Sequence, residues 1–302
     1  MSQLSPPTAS VPLGKSGIVV GPVAWGMWRF GQSSVAEARA LIEAALDAGV
    51  SLFDTADIYG FGDAGGFGAA EALLGRVFAE TPSLRVRMVL ATKGGITPPV
   101  PYDSSPTYLR KALDASLARL GVEQVDLYQI HRPDILAHPQ EVARFLEDAQ
   151  RSGKVRAVGV SNYTAAQTQA LAALIDVPLA SHQPEFSPLH LAPIEDGLLD
   201  LAMQQDMAIL AWSPLGGGRI GEPTDERSRR VAAALDVQAK EAGVSRAVAA
   251  YSWIAAHPAR PIPIVGTQTP KRIAEIAQVP LVTWTRQEWY EVLVAARGEP
   301  LP

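Results

Sequence analysis

Cysteine is absent from the 302-residue chain. Without thiols the protein can form no disulfide, bind no metal through thiolates and use no cysteine nucleophile, and this composition fits a reducing cytoplasm. The sequence also has no run of about 18 apolar residues, the length that a membrane-spanning helix requires. It contains no block of Lys or Arg, which argues against nucleic acid or anionic membranes as partners.

The amino-terminal residues, Met1–Ser10, are rich in Ser and Pro and lack the apolar core of a signal peptide. Hydrophobic residues make up 47% of the chain and the formal net charge is −5. High hydrophobic content and a small net charge exclude extensive disorder. We therefore expect a soluble, cytoplasmic protein that forms a single domain over residues 1–302, a length that α/β barrels commonly reach.

Helical and strand patterns alternate along most of the chain. The first helix is predicted to start with a capping box of Ser34 and Glu37, followed by apolar residues at helical spacing. Another is predicted to start with Ser105 as the cap and Pro106 at the first position, and to stop at Gly121. Short apolar segments lie between such helices, which is typical of parallel β-α-β units.

Eight of these apolar segments are predicted to be strands. They are Val23–Gly26, Ser51–Asp54, Met88–Lys93, Val125–His131, Val155–Ser161, Leu179–Glu185, Met207–Trp212 and Pro263–Gly266. Eight alternating units in a chain of this length favour an α/β fold of the (β/α)8 TIM-barrel type, with an open doubly wound sheet as the alternative.

Three segments lie outside the eight units. Val11–Leu13 and Ile18–Val20 are predicted to form a hairpin that caps the lower mouth of the barrel. Asp225–Gly243 is predicted to be a charged helical insertion after strand seven, and Thr285–Ala296 a carboxy-terminal helix.

Polar side chains follow the predicted strands at the ends where barrel enzymes place their chemistry. Asp54, Lys93 and His131 close three successive apolar runs, and Tyr59 lies in the loop after Asp54. Taken singly, each has an ordinary structural explanation: a turn cap, a loop lysine, a core histidine and a rim tyrosine. Because they recur at successive strand ends, a shared site is the better interpretation. No second histidine or carboxylate lies at metal-ligand spacing from His131, so no metal is predicted.

Together the four side chains form a plausible proton-transfer unit. A phenol has a pKa near 10 and is a poor acid at neutral pH unless its anion is stabilised. We expect the ammonium of Lys93 to lower the pKa of Tyr59, and Asp54 to keep Lys93 charged and oriented. His131 can then hydrogen-bond the oxygen of a substrate carbonyl while a hydride attacks its carbon. The hydride must come from a cofactor.

The chain strongly resembles the aldo-keto reductase family over nearly its full length, and within it the bacterial YdhF-like subgroup. Four motifs carry the resemblance: FDTADIYG at 53–60, DLYQIHRPD at 126–134, GKVRAVGVSN at 153–162 and AWSPLGGG at 211–218. The resemblance implies Asp54, Tyr59, Lys93 and His131 as the catalytic tetrad. Tyr59 would be the general acid in reduction and the base in oxidation.

The resemblance also implies a nicotinamide dinucleotide bound in extended form across the barrel mouth. Ser161, Asn162 and Gln183 would bind the nicotinamide amide, and Trp212 would stack on its ring. The remaining cofactor contacts implied are Gly26, Met27, Trp28, Ser213, Pro214, Leu215, Gly216, Gly218, Gly266, Thr267, Gln268, Arg272 and Glu275.

Arg272 is the residue from which we predict NADP(H) in preference to NAD(H). A guanidinium next to a helix amino terminus suits the adenosine 2′-phosphate. Gln268 stands where many family members have arginine, and Ile276 where many have asparagine. Both differences from the family pattern fall at positions that would contact the adenosine end of the cofactor.

The substrate is predicted to be a small carbonyl compound, an aldehyde or ketone that is reduced to the alcohol. Trp28, Tyr59, Tyr102 and His131 are the predicted substrate contacts. Two alternatives remain at this point: a non-catalytic, NADP(H)-sensing regulatory subunit, and a Schiff-base enzyme that uses Lys93. Asp57, which lies between Asp54 and Tyr59 in the sequence, has no assigned role.

Overall fold

A computed structural model describes residues 3–4 and 8–301, so half of the segment Met1–Ser10 lies outside the described residues. The described strands are β1 (Val11–Pro12), β2 (Val19–Val20), β3 (Ala24–Gly26), β4 (Leu52–Asp54), β5 (Val89–Gly94), β6 (Ile96–Thr97), β7 (Val100–Tyr102), β8 (Val125–Ile130), β9 (Val155–Ser161), β10 (Leu179–Gln183), β11 (Ala208–Ala211) and β12 (Ile262–Val265). Eight of them close into a parallel barrel in the order β10-β11-β12-β3-β4-β5-β8-β9.

Helices surround the barrel. They are α1 (Val35–Asp47), α2 (Ala69–Glu80), α3 (Pro106–Leu120), α4 (Pro139–Arg151), α5 (Ala165–Ala172), α6 (Ala192–Glu195), α7 (Leu198–Gln205), α8 (Glu226–Ala242), α9 (Arg246–Ala255), α10 (Pro270–Ala274) and α11 (Arg286–Arg297). Segments of 3-10 helix span Phe30–Gln32, Pro82–Arg87 and Glu275–Leu281. None of the helices in the described ranges has the length and apolarity to cross a membrane.

The predicted (β/α)8 barrel is confirmed, and all eight predicted strands are present. The open-sheet alternative is wrong, because β3 pairs in parallel with β12 on one side and with β4 on the other, which closes the sheet. Predicted and observed strand ends differ by at most two residues, and Val155–Ser161 is identical in both. Glu185, for example, lies beyond β10 and forms only an isolated bridge to Trp212.

The predicted helix signals act as capping interactions. The side chain of Ser34 accepts a hydrogen bond from the backbone N–H of Glu37, and the carboxylate of Glu37 accepts one from the N–H of Ser34. Ser105 caps α3, and Gly121 ends it in the left-handed conformation. These bonds satisfy backbone groups that a helix leaves unpaired at its ends, so the sequence determines where the helices start and stop.

The amino-terminal hairpin closes the lower mouth of the barrel, as predicted. Strands β1 and β2 pair in antiparallel register, and Val11 and Leu13 pack with residues inside the barrel such as Leu52 and Leu127. Gly14 has a φ of +53°, and a Cβ there would lie 2.6 Å from the carbonyl oxygen of Ala180. The turn therefore requires glycine both for its backbone conformation and for its close approach.

The two extra helices are also confirmed, as α8 and α11. They pack against each other, and Arg227 and Arg230 of α8 donate hydrogen bonds to the carbonyl oxygens of Ala296 and Ala295 at the end of α11. These donors satisfy carbonyl groups at a helix end. That residues 1–302 form one domain stays a prediction.

One element near the site has no counterpart in the sequence prediction. The short hairpin of β6 and β7 follows β5 at the carboxyl end of the barrel. It places Tyr102 in the loop layer above the strands, with 39% of the residue exposed.

Candidate active site

Asp54 and Lys93 form a buried ion pair at the carboxyl ends of two adjacent strands. Strand β4 ends at Asp54 and pairs with β5, which continues past Lys93. The ammonium nitrogen of Lys93 lies 2.6 Å from Oδ2 of Asp54 and donates to the carbonyl oxygen of Thr55 at 2.9 Å. The amide of Gln183, from β10, donates to the other carboxylate oxygen of Asp54 at 3.0 Å. The side chains of the pair are 0% and 2% exposed, so water scarcely screens the pair.

Tyr59 lies directly above this pair. The loop that carries it continues along β5, since the backbone N–H of Thr55 donates to Ala91 and that of Asp57 donates to Lys93. The ammonium of Lys93 is 4.9 Å from the centroid of the Tyr59 ring. The ring of His131 meets that of Tyr59 edge to face at 5.9 Å. The predicted tetrad therefore converges on one point of the barrel mouth.

Burial and charge act in opposite directions on Tyr59 and Lys93. Burial raises the pKa of Tyr59; the ammonium of Lys93 opposes that rise without cancelling it, and the carboxylate of Asp54 reinforces it. Lys93 thus acts on this pKa in the expected direction, but burial outweighs the cation and the pKa of Tyr59 is raised overall. Burial lowers the pKa of Lys93 more than any other single cause, but Asp54 and Tyr59 together outweigh burial, and the pKa is raised. At neutral pH the site thus holds a protonated phenol beside an ammonium ion.

His131 is a neutral imidazole at neutral pH. Its backbone N–H donates to Gly94, and its carbonyl oxygen accepts from the amide of Asn162 at 3.0 Å. Burial lowers its pKa well below the ordinary value, and the charges of Lys93 and Arg132 act in the same direction. Nδ1 is buried without a partner among the described residues. An unpaired acceptor is tolerated better than an unpaired N–H, so we assign the proton to Nε2, where it can be donated to a substrate oxygen.

Ser161, Asn162, Gln183 and Trp212 come together beside the ion pair. The hydroxyl of Ser161 donates to the carbonyl oxygen of Gln183 at 2.8 Å. The amide of Asn162 donates to the hydroxyl of Ser161 at 2.8 Å and accepts from the indole N–H of Trp212 at 2.9 Å. These predicted nicotinamide contacts therefore form one hydrogen-bonded group that is rigidly attached to the tetrad through Gln183.

The loop after β11 contains Ser213, Pro214, Leu215, Gly216 and Gly218. Three of its backbone N–H groups are bonded inside the loop: Gly216 to the carbonyl of Ser213, residue 217 to the hydroxyl of Ser213, and Gly218 to the carbonyl of Leu215. A pyrophosphate that used these N–H groups would have to open the turns. At Gly216 a Cβ would lie 2.9 Å from a methyl group of Leu189, and φ is +58°, so this turn requires glycine.

The predicted adenosine contacts follow β12. Gly266, Thr267 and Arg272 are exposed or partly exposed, and the carboxylate of Glu275 accepts a hydrogen bond from Ser245 at 2.8 Å. Both amide atoms of Gln268 are buried and have no partner within the described part of the chain. An amide in this state fits a polar ligand group that would complete its hydrogen bonds. The residues at this end are therefore compatible with a dinucleotide.

The structure does not bring every predicted contact to the mouth. The side chain of Met27 is fully buried, and the position of a Cβ on Gly26 is occupied by a methyl group of Ile264 at 2.7 Å. Trp28 is 60% exposed, and its ring meets that of Tyr59 at 5.1 Å. Trp28 thus lines the mouth beside the predicted acid. Gly26 and Met27 can contact a ligand there only through backbone atoms.

Arg132 is a site residue that the sequence analysis left without a role. Its guanidinium carbon lies 5.9 Å from the centroid of the Trp212 ring, and its charge lowers the pKa of both Tyr59 and His131. In the sequence, the signal that could have identified Arg132 as a site residue is its position directly after His131. It adds a second cation to the mouth.

The arrangement can protonate an oxygen placed between Tyr59 and His131. In such an arrangement the phenol can supply the proton, the neutral imidazole can donate a hydrogen bond, and Lys93 can stabilise the phenolate that remains. No group of three or more metal-ligating side chains occurs in the described residues.

Comparison with known proteins finds similar sequences among reductases. A sequence profile of the aldo/keto reductase family matches residues 22–293. A protein named 6-dehydroglucose reductase, from Novosphingobium aromaticivorans, is 59% identical over 100% of both chains. The oxidoreductase YdhF of Escherichia coli is 34% identical over 92% of this chain and 94% of its own. These similarities confirm the resemblance inferred from the motifs.

A solved structure shows the same fold. It is the thermostable aldo-keto reductase Tm1743 in complex with the inhibitor epalrestat, with a TM-score of 0.82 and 22% identity. The similarity covers 95% of this chain and 100% of that one.

Proposed function

Because this chain belongs to the aldo/keto reductase family of oxidoreductases, we propose that it reduces the aldehyde of a sugar, 6-dehydroglucose, to the primary alcohol with NADPH. The observation that carries the reaction is the convergence of Tyr59, Lys93, Asp54 and His131 at one mouth of the barrel. The 59% identical relative, named for this activity, supports the choice of sugar.

The protein's part in the reaction is proton delivery and orientation. When bound, NADPH would supply the hydride for the carbonyl carbon. The residues that would hold its nicotinamide are Ser161, Asn162, Gln183 and Trp212. Nε2–H of His131 binds the carbonyl oxygen and holds it beside the hydroxyl of Tyr59. Tyr59 gives its proton to that oxygen as negative charge develops there, and the phenolate is stabilised by the ammonium of Lys93, which Asp54 holds in place. The aldehyde carbon thus gains the hydride, and its oxygen gains the proton.

The mouth has features that suit a sugar. The ring of Trp28 is exposed beside Tyr59 and can pack against the C–H face of a pyranose. The guanidinium of Arg132 presents several N–H donors near His131, and hydroxyl groups are suitable acceptors for them. Tyr102, an exposed residue of the hairpin that follows β5, adds a further hydroxyl.

Turnover with a panel of aldehydes tests the proposal. We expect NADPH oxidation with 6-dehydroglucose at a kcat/KM well above that for a non-sugar aldehyde of similar size. If NADPH quenches tryptophan fluorescence but no aldehyde drives its oxidation, the regulatory alternative is favoured. If borohydride traps a substrate adduct on Lys93, the Schiff-base alternative replaces the proposal.

We propose that the preference for NADPH over NADH depends on Arg272, an exposed residue of α10. Arg272→Ala should weaken NADPH binding about 10-fold to 100-fold, the range for a lost hydrogen bond to a charged group. NADH binding should change less than about twofold, since it lacks the 2′-phosphate that this charge would contact. Arg144→Ala, which removes an exposed arginine of α4, is the matched control. Equal weakening of both cofactors by Arg272→Ala would remove the assignment.

A further inference from the structure

Glu71 is a fully buried carboxylate that the proposed chemistry does not use. It lies in the first turn of α2, the helix that follows the loop of Tyr59, and none of its surface is exposed. A glutamate at this position of a helix often completes a capping box, but the N-cap of α2 is Gly68, and no side chain caps the helix. The carboxylate instead makes its hydrogen bonds outside its own helix.

The carboxylate of Glu71 joins α2 to β5 and α3. The hydroxyl of Thr92, in β5, donates to Oε1 of Glu71 at 2.5 Å. Nε of Arg119, in α3, donates to Oε2 at 2.8 Å, and Nη2 lies 2.7 Å from the same oxygen. The same guanidinium donates to the hydroxyl of Ser116 at 3.2 Å. Both carboxylate oxygens are therefore bonded, and three elements of the fold meet at one side chain.

These bonds link two residues of the tetrad from outside the barrel. Thr92 directly precedes Lys93, and because side chains alternate along a strand, Thr92 faces the helices where Lys93 faces the barrel interior. The backbone N–H of Ala70, the residue before Glu71, donates to the carbonyl oxygen of Tyr59 at 3.3 Å. A short series of contacts therefore runs from the lysine of the tetrad to the backbone of its tyrosine.

Stability alone is a weak explanation for this buried pair. Desolvation of two ions offsets much of their attraction, so a buried ion pair often stabilises a fold no more than apolar side chains of similar volume. Helices α2 and α3 also approach closely without it, since a Cβ on Gly75 would overlap the carbonyl oxygen of Arg119. The directional bonds of a carboxylate with a guanidinium fix geometry, and this suits a positioning role.

We propose that Thr92 and Glu71 are positioning residues, and that their hydrogen bond sets the place of Lys93 relative to Tyr59. Arg119 holds the carboxylate of Glu71 in the orientation that Thr92 requires. Neither Thr92 nor Glu71 is exposed at the mouth, so neither contacts the aldehyde. The proposal rests on the proposed function for the reaction that Tyr59 and Lys93 perform.

The variant Thr92→Val tests the role, because it removes the hydroxyl at nearly unchanged volume and leaves Glu71 paired with Arg119. We expect kcat to fall about tenfold and KM for the aldehyde to stay within about twofold, because the alignment for proton transfer changes and the mouth does not. Thr92→Ser restores the hydroxyl and should return kcat to within about threefold of the wild type. Failure of this rescue would overturn the role of the hydrogen bond.

The matched control is Thr168→Val in α5. Thr168 is also fully buried, and its hydroxyl donates to the carbonyl oxygen of Thr164 at 2.9 Å. This variant loses a buried hydroxyl that has no connection to β5, so it should keep the kcat of the wild type even if its Tm falls. Equal losses of kcat in Thr168→Val and Thr92→Val would overturn the proposal, because the loss would then be a general effect of a missing hydroxyl.

A second readout needs no turnover. The absorbance of ionised Tyr59 can be followed against pH as the difference between each protein and the same protein with Tyr59→Phe. The titratable and charged groups that face this phenol are Asp54, Lys93, His131 and Arg132. The ammonium of Lys93 lowers the pKa of Tyr59, so a displaced ammonium lowers it less. Thr92→Val should therefore shift the titration to higher pH, and Thr92→Ser should not.

The two readouts separate this proposal from the proposed function. If Thr92→Val keeps the kcat and the Tyr59 titration of the wild type, Thr92 has no positioning role. If the wild type reduces no aldehyde, the proposed function fails, and the titration still decides the placement of Lys93: a shift in Thr92→Val supports the proposal and an unchanged titration overturns it.

Discussion

Tyr59→Phe is expected to lower kcat for aldehyde reduction about 10²-fold to 10⁴-fold, the range that a general acid contributes. The substitution removes the proposed proton and keeps the ring that packs edge to face against His131 and Trp28. Cofactor affinity should therefore change little. Single-turnover measurement of NADPH oxidation, with fluorescence titration of NADPH, separates the chemical step from binding.

The matched control is Tyr290→Phe, which removes a hydroxyl from an exposed tyrosine of α11 that has no assigned role. It should keep kcat within about threefold, since no proton is assigned to it. Retention of wild-type kcat by Tyr59→Phe would show that another group donates the proton.

The electrostatics of Tyr59 predict how the rate depends on pH. Because burial raises its pKa above the ordinary value of 10, Tyr59 keeps its proton through the neutral range. The reduction rate at saturating substrate should stay level through neutral pH and decline only at alkaline pH. Tyr59→Phe should lose that alkaline decline, because its residual reaction no longer depends on this proton.

The tetrad was predictable because each member lies at or just after the end of an apolar strand, where the fold fixes its direction. Asp54 ends β4, and Lys93 is the next-to-last residue of β5, the neighbouring strand. Asp54 is in register with Ala91, and Lys93 follows two residues later on the same side of β5, so its long side chain can reach the carboxylate. The sequence therefore predicts the ion pair as soon as it predicts the barrel.

Other features depend on distant contacts that no local pattern contains. The hairpin of β6 and β7 has strands of two and three residues, and β7 is exposed throughout, so no alternation of burial marks it. The net shift of the Tyr59 pKa depends on how completely the surrounding loops bury the ring. The surroundings of Asp57 also depend on distant elements, because the charges of Glu71 and Arg119 act on it from α2 and α3.

Lys93→Met is expected to damage both stability and catalysis. It leaves the carboxylate of Asp54 buried with the amide of Gln183 and without its cation. Breaking a buried ion pair on one side typically costs about 3–5 kcal/mol of unfolding free energy. The phenolate of Tyr59 also loses its stabilising charge, so kcat should fall steeply. Lys111→Met, at an exposed position of α3, is the control and should be nearly neutral in both measurements.

The double variant Lys93→Met/Asp54→Asn separates the two effects. It removes both charges, so the unpaired carboxylate disappears and much of the lost unfolding free energy should return, while kcat stays low because the ammonium is still missing. Recovery of kcat in the double variant would mean that the charge of Lys93 serves the fold and has no part in proton transfer.

The raised pKa of Lys93 also predicts that wild-type stability declines at strongly alkaline pH. The contribution of Lys93 to the unfolding free energy is full below the unfolded pKa near 10.4 and is lost as pH rises through the folded pKa. Lys93→Met should lack this alkaline loss.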